Sequence, residues 1–80
     1  MNKEVIINNL QDIFRDIFDE DTLIISYKTS PDELNSWDSL NHILLMSAVQ
    51  EEFNLKIGIE EMQLLVNVED IVNMIINKIN

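Results

Sequence analysis

Eighty residues, 46% of them hydrophobic, exclude a disordered chain and bound the protein to one domain, residues 1–80, with a small core. The absence of cysteine excludes disulfides and thiolate metal sites, while a single glycine and a single proline favour helices over a turn-rich β fold. Fifteen acidic residues against five basic ones give a net charge of −10, which excludes nucleic acid and anionic membranes and suits brief docking on basic protein surfaces.

The first helix is predicted from a cap at Asn2 to about Phe18. Ile6, Leu10, Ile13, Phe14 and Ile17 fall on one face at helical spacing, with Asp12, Arg15 and Asp16 on the other. This helix is scaffold. Glu4 and Asn8-Asn9 interrupt any continuous apolar stretch, so a secretory signal is not expected, and no apolar run approaches a membrane span. The expectation is a cytoplasmic monomer.

Asp19-Glu20-Asp21 lacks the spacing and central glycine of a calcium loop and reads as a solvated helix end, so no metal is expected there. A long connection then runs to Trp37. Leu23, Ile24, Ile25 and Tyr27 require part of it to cover the bundle, and Ser30-Pro31-Asp32-Glu33 has the make-up of a single helical turn. Leu34 and Trp37 are expected to pin its end against the core.

Asp38 is a good N-cap residue, and the helix it starts runs from Ser39 to about Phe53. Ser39 falls on the first turn, where a positive dipole end and unpaired amides favour a phosphate; an ordinary helix start uses the same two residues. Leu45, Met46, Val49 and Phe53 make a core stripe. Leu40, Ile43, Leu44 and Ser47 point largely elsewhere, more apolar surface than one stripe needs. Either the long loop packs over this second face or it is an exposed docking patch beside Ser39, with Ile43 closer to the core and Leu44 more exposed. Glu51 and Glu52 extend the acidic surface at the far end.

Gly58 suits a sharp redirection in the next connection. Glu60 to Leu65 reads as a short third helix. Asn67 caps the last one, with Glu69 and Asp70 in its first turn and an apolar stripe of Val68, Ile71, Val72, Ile75 and Ile79. Met46, Met62 and Met74 read as core fillers.

His42 lies three residues after Ser39, but no Gly-x-Ser-x-Gly elbow, third member or second histidine accompanies it. A serine hydrolase is therefore rejected, no catalytic residue is assigned, and His42 is expected at the surface near the docking face. One histidine and no cysteine likewise supply no metal site.

Asp38-Ser39-Leu40, entering a helix that ends in Glu51-Glu52-Phe53, resembles the Asp-Ser-Leu signature of acyl carrier proteins, and the likeness covers nearly the whole chain. The resemblance implies an all-α four-helix bundle with a long loop between the first and second helices and a short third helix. It implies a carrier and not an enzyme: Ser39 would hold a 4′-phosphopantetheine arm, delivered from coenzyme A by a phosphopantetheinyl transferase. The arm's thiol would carry acyl groups as thioesters to loading and processing enzymes with basic docking surfaces, in fatty acid, polyketide or another dedicated biosynthesis. Leu40, Ile43, Leu44, Ser47 and Glu51 would form the partner face. Ser36 stands where a glycine often precedes the signature, and Trp37-Asp38-Ser39-Leu40 resembles stand-alone carriers of dedicated pathways more than the housekeeping fatty-acid carrier. Two alternatives remain open at this point: an unmodified acidic interaction module, and an aminoacyl or peptidyl carrier.

Overall fold

A computed structural model describes residues 2–79. It contains four helices, α1 (Lys3–Phe18), α2 (Ser39–Phe53), α3 (Ile59–Leu64) and α4 (Val68–Ile79). The three longer helices start where a capping side chain stands. Asn2 Oδ1 accepts from the Val5 amide at 2.9 Å, Asp38 Oδ1 from Asn41 at 2.8 Å, and Asn67 Oδ1 from Asp70 at 2.8 Å. α1 and α2 end on residues in the left-handed region, Asp19 (φ 55°) and Asn54 (φ 51°). Their short polar side chains tolerate that conformation where a branched residue would not.

α1 packs against both α2 and α4. Ile6, Leu10, Phe14 and Phe18 bury its inner face against Leu45, Met46 and Val49 of α2 and Val68, Ile71, Val72, Met74 and Ile75 of α4. The expected stripes shift at their margins. Ile13, Ile17 and Phe53 are half-buried, Phe18 is buried as well, and Ile79, on the last turn of α4, is exposed, while Met74 is buried as the core filler expected.

The long connection is held at both ends and in the middle. Near α1, Arg15 Nε donates to the Leu23 carbonyl at 2.7 Å, and Gln11 Oε1 accepts from the Ile25 amide. Ile25 is buried, Leu23 and Tyr27 are half-buried, and Ile24 faces solvent. Midway, the Thr29 and Tyr27 carbonyls accept from the Val68 and Glu69 amides at 2.9 and 3.0 Å. With Asn67 capping Asp70, these bonds satisfy the first three amides of α4, donors that a helix start leaves without intrahelical partners. The Ser30 carbonyl then takes the amides of Glu33 and Leu34, closing the single turn the sequence suggests.

Two expectations need correction here. α3 runs one residue earlier than Glu60–Leu65, because Gly58 supplies the cap position and its carbonyl accepts the Met62 amide. Gly58 itself is not a sharp redirection. Its φ of −71° and ψ of 158° are open to any residue, and a Cβ there meets nothing within 4 Å. Gly58→Ser should therefore raise stability by roughly 0.5–1 kcal/mol, by adding a capping hydroxyl and restricting the unfolded chain. A urea melt in which the midpoint falls would contradict this reading.

The charge is mostly unpaired. Among the described residues, Lys78–Glu61 (2.9 Å) is the one ion pair, and both side chains are partly exposed. Carboxylates in such excess repel one another. Added sodium chloride should raise the melting temperature at neutral pH by screening them. The test is a series of thermal melts at increasing salt, and a midpoint that drops would show the repulsion to be negligible.

Candidate functional site

The start of α2 is set from both sides. Before it, the Trp37 amide donates to the Leu34 carbonyl at 2.9 Å, and Asn41 Nδ2 donates back to the Ser36 carbonyl at 2.7 Å. Trp37 is buried at 4% exposure, its ring meeting Phe14 edge-on (5.2 Å between centroids, 88°) and lying against Phe18. Leu34 is half-buried beside the core. The loop end is thus pinned as expected, and Asp38 and Ser39 emerge at the surface as cap and first residue of α2.

An open cleft of about 990 Å³ lies beside Ser39, between the long loop, α2, α3 and the link from α3 to α4. Trp37, Asp38, Ser39, His42 and Ile43 form one wall; Ile59, Met62, Leu65 and Val66 face it from the other side. Nothing in the residue pattern announces this space, since it arises between elements distant in sequence.

The cleft explains a reversed expectation on α2. Ile43 is more exposed than Leu44, 55% against 45%, although Ile43 lies nearer the core stripe. Its side of the helix opens onto the cleft, so no neighbour covers it. Leu40, at 67%, is more exposed than either, and Ser47 and Glu51 are also exposed. The long loop does not cover this second face. The five residues singled out on α2 share a solvent-facing surface that continues from Ser39.

His42 is not the surface residue expected. It is half-buried, with its ring inclined 23° to that of Trp37. Trp37 Nε1 donates to His42 Nδ1 at 2.9 Å, and His42 Nε2 lies 2.8 Å from the Met62 carbonyl. An indole N–H only donates and a carbonyl only accepts, so Nδ1 is the bare nitrogen and Nε2 carries the proton. Both nitrogens are thereby engaged, and His42 cannot serve Ser39 as a base. Sequence reasoning missed this arrangement. Its only sequence signal is an indole five residues before an imidazole, a spacing that matters once the first residue is a helix lead-in.

Among the described residues, no group of three or more His, Asp or Glu side chains could hold a metal ion, and no helix is long and apolar enough to cross a membrane.

A scan of family models finds no match to the chain, and neither does a search of curated proteins. Solved structures do match. The solution NMR structure of the holo acyl carrier protein from Geobacter metallireducens is 32% identical, with a TM-score of 0.83 over 91% of this chain and 84% of that one. An identity of that level, across almost the whole of both chains, accompanies a shared four-helix arrangement. The chain belongs to the acyl carrier protein family.

Proposed function

We propose that Ser39 is the attachment point of a 4′-phosphopantetheine arm, and that residues 1–80 act as one carrier domain. The observation that carries this reading is an exposed serine on the first turn of α2, directly after its capping Asp38 and beside the cleft. The surroundings fit such a group. A helix N-terminus favours the phosphodiester's negative charge, and the Ser39 and Leu40 amides have no intrahelical acceptor. The arm supplies a terminal thiol, and this chain has no cysteine of its own to hold an acyl group as a thioester.

The chain's residues supply position, not proton transfer. Asp38 caps the Asn41 amide through Oδ1, and His42 has both ring nitrogens engaged. His42 is thus not the base that takes the Ser39 hydroxyl proton, and the transferase supplies that group. With coenzyme A and a broad-specificity phosphopantetheinyl transferase, the protein should gain the mass of one phosphopantetheine. Ser39→Ala should gain none while keeping its helical circular dichroism. Modification on Ser36 or Ser47 instead would remove the assignment to Ser39, and no modification at all would leave an unmodified interaction module.

Leu40, Ile43, Leu44, Ser47 and Glu51 form the face that meets the transferase and the acyl-loading and acyl-processing enzymes. What supports this is a run of exposed apolar side chains from Ser39 along α2, bordered by carboxylates. If the partner surface is basic, Glu51→Lys should slow association, with an effect that shrinks as salt rises. Leu44→Asp should weaken binding by about 1–3 kcal/mol with little relief from salt, because it removes an apolar contact. Val49→Asp should unfold the bundle, since Val49 is fully buried. Transferase rates against salt, with thermal melts alongside, separate these cases. A Leu44→Asp protein that melts as badly as Val49→Asp would mean that the face has been drawn wrongly.

A further inference from the structure

α3 is the least anchored helix of the bundle. None of its six residues is buried, and Ile59 and Leu64 are each 75% exposed. Among the described residues, two polar contacts join it to the other helices. One is the Glu61–Lys78 ion pair to α4, which is partly exposed and open to screening by salt. The other is the hydrogen bond from His42 Nε2 of α2 to the Met62 carbonyl. This second bond is half-buried and neutral, so salt does not weaken it. It is also directed, because the Trp37 indole holds the proton on Nε2 by occupying Nδ1.

We propose that His42 is a positioning residue: set by Trp37, it latches α3 to α2 and so fixes the width of the cleft beside Ser39. Three parts of the chain that border the cleft meet in this relay, namely the loop through Trp37, α2 through His42, and α3 through Met62. Breaking the His42–Met62 bond removes the directed tie on the far wall of the cleft, leaving it held by the Met62 side chain against the core and the exposed Glu61–Lys78 pair. Any partner or cargo that needs the cleft wider works against this bond. The inference deepens the carrier reading, since it matters most if the arm is carried here, but its test does not use the arm.

The test is amide hydrogen exchange on the unmodified full chain. In the native protein the Met62, Gln63 and Leu64 amides should be protected. In His42→Ala their exchange should speed about tenfold, the scale of one lost hydrogen bond, through local opening of α3. The amides of Leu10 and Phe14 in α1, and of Ile71 and Ile75 in α4, should keep their protection. His42→Gln should recover most of the α3 protection, because its side-chain amide offers an N–H of similar reach. Lys78→Met, which removes the ion pair, should change α3 less than about twofold. The latch is overturned by unprotected α3 amides in the native protein or by native protection in His42→Ala. It is equally overturned by a loss spread evenly over all helices, by no recovery in His42→Gln, or by Lys78→Met loosening α3 as much as His42→Ala. A failure of Ser39 to accept the arm would overturn the carrier reading and leave these exchange results standing.

Discussion

The insertion of Trp37 is the constraint on which the rest of the site depends. A connection spanning residues 19–38 separates the first two long helices, and such a segment costs conformational entropy wherever it is ordered. Tryptophan can repay that cost twice over, through a large apolar surface and a single polar N–H. Here the ring meets Phe14 and Phe18 of α1, while the N–H reaches His42 of α2. One side chain therefore fixes the loop to both helices. Asp38 and Ser39 follow it directly, so their placement at the mouth of the cleft is inherited from the burial of their neighbour.

Much of the fold was legible because the chain marks its own helix starts. Asn2, Asp38 and Asn67 each stand before an apolar period, and each spends its side chain on a helix amide. α3 has no such mark, and its expected bounds slipped by one residue, since Gly58 caps with backbone alone. The helix ends were less legible still. Asp19 and Asn54 take the left-handed conformation usually left to glycine, while the only glycine does not. Of the candidate site, the cap at Asp38 and the place of Ser39 on the first turn of α2 could be read from local chemistry. The cleft, the inversion of Ile43 and Leu44, and the engagement of His42 could not. Each depends on what lies across from a residue, and periodicity reports only which side of its own helix a residue occupies.

α2 carries a division of labour that its neighbours lack. α1 and α4 bury one face and solvate the other, whereas α2 buries Leu45, Met46 and Val49 and still exposes Leu40, Ile43 and Leu44. Exposed branched side chains gain little for folding, and burying them elsewhere would add apolar stabilisation. On the helix that begins at Ser39 they leave an exposed apolar surface next to that serine. The excess of carboxylates offsets its tendency to self-associate, because like-charged copies repel at close range.

The hydrogen bonds from α4 to the loop also bear on how the protein is assembled. Thr29 and Tyr27 give their carbonyls to the first amides of a helix that starts at Val68, so the middle of the loop leading to Ser39 is held by α4. Contacts between residues so far apart in sequence form late, because a large loop must close before they repay its entropy. A chain still emerging from the ribosome could form α1 and α2 by local capping and dock both ends of the loop on them, yet would lack the amides of α4 that hold its middle at Tyr27 and Thr29. The middle of the loop thus takes its final form only once α4 is in place, after Trp37 has fixed the loop's end beside Ser39.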